Sequence, residues 1–278
     1  MRDYEKEFKE ATIPATQVSG TGKINLPGIG DARISGSGYI SSEEIRISGS
    51  GRLPGGIKVG LVRSSGSVSI DGDIEAEEMH LSGSTSIAGA MCATKITASG
   101  SLSVGSGATG GAMRVSGSCK IGKEIQLEDS LIVHGSLVVH GNVDVQERIE
   151  LDGSFDIDGR LTTSIFTSEL SHSRSYVRRG IQVDSVDVRK GEAEGFKFGL
   201  SIFKGRFREG ELFTTDIVAR EEVYLENVHC DSVTGKNVTI GEGCEIKGRI
   251  MYSNTIEVHP STKVGSPPEK ISSDASRP

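Results

Sequence analysis

The chain of 278 residues has no tryptophan, only 5% aromatic residues, and no run near the roughly 20 apolar residues of a membrane-spanning helix. Its start, MRDYEKEFKE, lacks the apolar stretch of a secretory signal. A cytoplasmic protein is expected, at most peripheral to a membrane. Four cysteines, Cys92, Cys119, Cys230 and Cys244, form no C-x-x-C pair and no Cys/His cluster, which argues against a disulfide framework or a zinc site. Reduced thiols are expected. Excess basic charge is also lacking: 31 Lys and Arg against 38 acids leave a net charge of -7, which disfavours a general nucleic-acid binder, because neutralising phosphates takes a basic surface.

With 35% hydrophobic residues, the chain folds only if those few fall at regular positions that share a core. What it has in excess is glycine, 37 residues, against a usual share of roughly 7%. Gly49, Gly66, Gly83, Gly100 and Gly117 follow one another at steps of 17, and Gly135 and Gly153 follow at steps of 18. Less regular copies precede them at Gly20 and Gly36. Their surroundings repeat as well: SGSVSIDG from Ser65, SGSTSIAG from Ser82, SGSLSVGS from Ser99, HGSLVVHG from His134 and DGSFDIDG from Asp152. Four residues after each glycine stands an aliphatic: Ile24, Ile40, Leu53, Ile70, Ile87, Val104, Ile121, Val139 and Ile157.

Other even offsets are mostly apolar and odd ones mostly polar, which is the alternation of strands with one buried face. Further glycines six residues on, such as Gly72 and Gly89, suggest corners between short sides. Three sides of about six residues make one coil, and coils stack at about 4.8 Å with their backbone groups paired. The expected fold is all-β: a three-sided right-handed parallel β-helix, or β-solenoid, with coils of 17 to 18 residues. Right-handedness is favoured because parallel crossovers are right-handed and the strict hexapeptide of left-handed helices is absent. A thin solenoid fills its interior with a few aliphatics per coil, which suits the low apolar content.

Residues 1–14 are expected to form an arm or cap, with Tyr4 and Phe8 spaced for a helical turn. Regular coils are expected over 15–161. Over 162–210 the frame lapses: five of the eight phenylalanines crowd into 196–213, and residues 174–208 carry nine Lys or Arg against four acids. Coils are expected again over 211–264, and 265–278 reads as a disordered tail.

Gly-punctuated coils of about 17 residues, with a final run VTIGEGCEIKGRIMYSNTIEVHP, resemble the bactofilins, the polymer-forming cytoskeletal proteins. The likeness covers about 15–161 and 211–264. It implies a right-handed β-helix that polymerises end to end without nucleotide, as a cytoplasmic or membrane-associated scaffold, and it brings no catalytic residues. This chain is longer than the usual family domain, and its basic, Phe-rich middle has no counterpart there.

Singular chemistry is sparse. Ser37, Ser50, Ser67, Ser84, Ser101, Ser118, Ser136 and Ser154 repeat after the glycines and are expected to form a ladder, whereas a catalytic serine needs a base in a pocket. Repeat offsets should stack His134 over Asp152 and His140 over Asp158, as cross-strand ion pairs. The acidic run Asp71, Asp73, Glu75, Glu77 and Glu78 lacks a calcium-loop pattern. Cys119 falls at an inward offset. The remaining candidate is an interaction patch of Arg174, Arg178, Arg179, Lys197, Lys204, Arg206 and Arg208, suited to an anionic membrane surface or an acidic protein partner. No catalytic, cofactor-binding or metal-binding residue is expected.

The expected function is therefore a non-enzymatic scaffold that meets copies of itself through the ends of the helix. The alternative is a non-polymerising solenoid oligomer that serves as a protein- or membrane-binding platform. A hexapeptide-type acyltransferase fits worse: only His172 suggests its catalytic histidine. Carbohydrate enzymes need aromatic platforms and long loops that this chain lacks.

Overall fold

The computed structural model describes residues 15–171, 173–191 and 210–272. The expected N-terminal arm, His172, and the patch residues Lys197, Lys204, Arg206 and Arg208 lie outside them. Every regular element among the described residues is a strand. The chain divides into two compact units, Met1–Glu128 and Asp129–Pro278.

The first unit contains β1 (Thr16–Leu26), β2 (Gly30–Ile40), β3 (Glu44–Leu53), β4 (Ile57–Ile70), β5 (Ile74–Ile87), β6 (Met91–Val104), β7 (Ala108–Ile121) and β8 (Ile125–Leu127). From β3 to β8 each strand pairs in parallel with the next, and the register Ile57↔Ile74↔Met91↔Ala108↔Ile125 advances by one 17-residue coil at each step. The coils of β4, β5 and β6 each bury three pairs of inward side chains, in β5 Ile74 with Ala76, Met79 with Leu81, and Thr85 with Ile87. Between the second and third pairs stands the repeated glycine, and Gly49, Gly66, Gly83, Gly100 and Gly117 sit side by side in register. The reason for glycine is geometric. Gly66 holds φ at +119°, and a Cβ there would lie 2.2 Å from the Gly49 carbonyl oxygen, so the chain turns where the preceding coil leaves no room for a side chain.

The aliphatics four residues after the glycines, Ile70, Ile87, Val104 and Ile121, are all buried. Across the glycine corner the inward residues compensate in volume: Ile47 faces Gly51, Ala98 precedes Leu102, and Val115 precedes Cys119. Cores tolerate such exchanges when total volume is kept.

The start of the unit differs from the parallel coils expected from residue 15. β1, β2 and β3 form an antiparallel meander, with Gly20 opposite Gly36 and Gly36 opposite Gly49. The cause is loop length. Gly28 at φ +75° helps turn the chain, with Ile29 N–H donating to the Leu26 carbonyl at 3.0 Å. At the next turn, the Ser41 hydroxyl accepts from the Glu44 N–H at 3.0 Å. Turns this short reverse a strand, whereas a parallel return needs about a dozen residues. The glycine column nonetheless runs unbroken into the coils, so the repeat is visible in the sequence while the change of strand direction is not.

The second unit contains β9 (Ser130–Val139), β10 (Val143–Val145), β11 (Arg148–Ile157), β12 (Leu161–Leu170), β13 (Arg174–Val177), β14 (Ile181–Lys190), β15 (Glu211–Thr214), β16 (Asp216–Ala219), β17 (Glu222–Leu225), β18 (Val228–Cys230), β19 (Ser232–Ile240), β20 (Glu245–Ile246), β21 (Ile250–Val258), β22 (Lys263–Val264) and β23 (Glu269–Lys270). All pairings resolved within it are parallel. Gly135 pairs with Gly153, and both hold positive φ. Val139 and Ile157 are buried in register.

Two boundaries differ from expectation here. Residues 162–190 do not break the stack: β12 pairs with β14 from Leu161↔Ile181 to Leu170↔Lys190, because the inward alternation of Phe166, Ser168 and Leu170 survives the loss of the Gly-Ser frame. The Gly191 N–H donates to the Leu170 carbonyl at 2.8 Å, and the Glu211 N–H donates to the Ser173 carbonyl at 3.3 Å. Past 264, pairing continues: β23 sets Glu269 and Lys270 against Met251 and Tyr252, and Ile271 N–H donates to the Tyr252 carbonyl at 2.8 Å.

Candidate functional site

Ser50, Ser67, Ser84, Ser101 and Ser118 lie in register along the exposed side of the glycine column, and Ser136 pairs with Ser154. Ser37 does not join them: β2 runs antiparallel to β3, which sets it opposite Ser48. Four of the five acids of the run are held locally: Asp71 holds Arg52 at 2.7 Å, Glu75 holds Lys58 at 2.8 Å, Asp73 accepts the Ala90 N–H at 2.8 Å, and Glu78 lies 3.2 Å from His80.

Both stacked histidine pairs form in the second unit. His134 Nδ1 lies 3.0 Å from Asp152 Oδ2, and His140 Nδ1 lies 2.9 Å from Asp158 Oδ2. Asp158 also accepts from Arg178 Nε at 3.0 Å. The hydrogen bond from His140, followed by that from Arg178, holds the Asp158 carboxyl below its ordinary value. His134, Glu150 and Asp152 bring three possible ligand atoms within 4.8 Å of one another at the surface.

Four of the five described cations of the basic segment pair with acids of the same unit. Arg174 pairs with Glu211 at 3.0 Å, Arg178 with Asp156 at 2.7 Å, Arg189 with Asp187 at 2.8 Å, and Lys190 with Glu242. Rings reinforce these rows. Tyr176, Phe213 and His229 stack on successive coils with centroids 5.5 and 4.6 Å apart, and Arg174 and Arg178 lie over Phe213 and Tyr176. Arg179 is exposed, and its side chain makes no ion pair among the described residues.

The arrangement with the clearest consequence is the outer edge of β21. Its inner edge pairs with β19, setting Ile256 beside Val238 and Val258 beside Ile240. Its outer edge pairs with β23 only at Met251 and Tyr252, so from Asn254 to Val258 no strand lies beyond it among the described residues. Inward positions that are sealed one coil earlier are therefore uncovered: Ile240 is 1% exposed and Val258 36%. At the start of the first unit, β1 likewise has β2 on one side and no described strand on the other. The sequence pattern placed Ile256 and Val258 among the inward aliphatics, but only the coil count shows that no strand caps them among the described residues.

Three of the four cysteines are buried, and all are free. Burial pushes the Cys119 thiol up to about 12 and Cys244 up to about 11, and raises Cys230 as well.

These residues define an all-β protein of the β-solenoid class, with coils of about 17 residues in its first unit. Among the described residues no helix is long and apolar enough to cross a membrane. No family model matches the chain, and neither a curated protein nor a solved structure matches it.

Proposed function

We propose that the chain is a non-enzymatic scaffold that associates with copies of itself head to tail, β21 of one copy meeting β1 of the next, as the bactofilins it resembles would do. In this reading the coils wind as a three-sided right-handed helix. Three inward pairs per coil, separated by corners, support three sides. The observation that carries the proposal is the outer edge of β21, where among the described residues no strand pairs with the backbone beside Ile256 and Val258. Such an edge is a template for another strand, and a contact between two different surfaces gives an open filament when its rotation does not close a ring.

Charge supports the polarity. Residues 16–70 carry six Lys or Arg against three acids, whereas residues 211–272 carry six against ten. Opposite net charge favours encounter of the two regions and makes association sensitive to salt. Free, mostly buried thiols support a reducing compartment such as the cytoplasm. The second reading, a platform for an anionic membrane or acidic partner through residues 174–208, finds support in Arg179, because the other described cations there already hold acids.

The test is sedimentation velocity of the full chain and of the double variant Ile256→Lys, Val258→Lys. The expected result is concentration-dependent assembly of the parent and its loss in the variant, with an unchanged circular dichroism spectrum. Equal assembly of both proteins would remove β21 from the interface.

A further inference from the structure

The outer face of the first unit carries a shallow groove of about 550 Å³ that self-association leaves unexplained. Tyr39, Arg46, Arg63 and His80 stand side by side along it, one from each of β2, β3, β4 and β5. Ser48, Ser65 and Ser82 form the adjoining row.

Like charges directly opposite each other on neighbouring strands are destabilising, so the placement of Arg46 beside Arg63 needs a compensating group. Arg46 has one in Glu44, and His80 has one in Glu78 at 3.2 Å. The residue of β4 in register with Glu44 and Glu78 is Leu61, so the rung of Arg63 lacks its acid. Among the described residues the Arg63 guanidinium makes no ion pair or hydrogen bond, and the hydroxyls of Ser48, Ser65 and Ser82 have no hydrogen-bond partner. Donors without partners converge on one concave site whose backbone is fixed by ladder pairing on both sides.

We propose that this groove binds a small anionic sugar, its phosphate or carboxylate on Arg63 with help from Arg46 and its hydroxyls on the serine row. A guanidinium meets either anion through two parallel hydrogen bonds. Serine hydroxyls both donate and accept, as sugar hydroxyls require. The volume suits a small molecule. Strand-borne residues hold their spacing without reorganisation, which favours binding.

The test is ligand-observed NMR on the full chain with glucose 6-phosphate and glucuronate as separate probes and glucose as the neutral control. At least one anionic probe should bind saturably and glucose should not. Arg63→Gln should weaken binding by about tenfold, the loss of one charged hydrogen-bonding partner. Ser65→Ala should weaken it in the same direction. Arg114→Gln, on the same outward row but beyond the groove, should leave it unchanged. Circular dichroism melts should coincide for all these surface variants. The proposal is overturned if neither anionic probe saturates, if glucose binds as well, or if Arg63→Gln and Arg114→Gln have equal effects.

Discussion

Replacing Gly83 with alanine should open the first unit locally, by an amount set by two separate effects. Gly83 holds φ at +96°, and a Cβ there would come 2.3 Å from the Gly66 carbonyl oxygen and 3.1 Å from its carbonyl carbon. A side chain held in that dihedral region costs roughly 1–3 kcal/mol. Forcing a methyl group against immovable backbone adds roughly 1–3 kcal/mol. Together they come to about 4 kcal/mol, or roughly a thousandfold in a local opening constant. Gly56 is the matched control: its φ is +77°, but a Cβ there would meet nothing within 4 Å. Gly56→Ala should therefore show the dihedral effect alone, about 1–2 kcal/mol and roughly tenfold. The assay is hydrogen exchange by mass spectrometry. Because each coil touches only its neighbours, faster exchange in Gly83→Ala should centre on β4, β5 and β6. If Gly83→Ala exchanges no faster there than Gly56→Ala, steric exclusion by the neighbouring coil is not what fixes the glycine column.

Thiol accessibility gives a second check: at pH 8 a thiol reagent should modify exposed Cys92 rapidly, and Cys119, Cys230 and Cys244 only after denaturant is added, and two fast thiols in the native protein would contradict the burial pattern. Acid supplies a third. The Asp158 carboxyl is held below its ordinary 3.8, so its contribution to stability is present above that value and is lost as pH falls through the depressed one. Arg178→Gln should move the Asp158 midpoint in a carboxyl NMR titration upward, toward 3.8, and an unmoved midpoint would show that Arg178 does not hold the charge.

The coil was legible because its cause is local and repeats. Gly66, Gly83 and Gly100 each meet the same carbonyl one coil back, so one constraint writes the same residue every 17 positions. The histidine pairs followed from the same period. Strand direction was hidden because glycine spacing is indifferent to it, and only the length of the Leu26–Gly30 and Ile40–Glu44 connections decides. The continuity of β12 to β14 was missed because Phe166 and Val186 keep their inward places without the Gly-Ser frame. The groove left a trace that only the offset from glycine reveals: Arg46, Arg63 and His80 each stand three residues before a repeated glycine. The absence of an acid beside Arg63 is a relation between strands, and no single coil contains it.

Electron microscopy of the purified chain across protein and salt concentrations addresses self-association most directly. Unbranched filaments are expected, lengthening with concentration, shortening with salt, and giving an axial repeat of about 4.8 Å as strands stack along the filament. Discrete particles of a single size under every condition would contradict it.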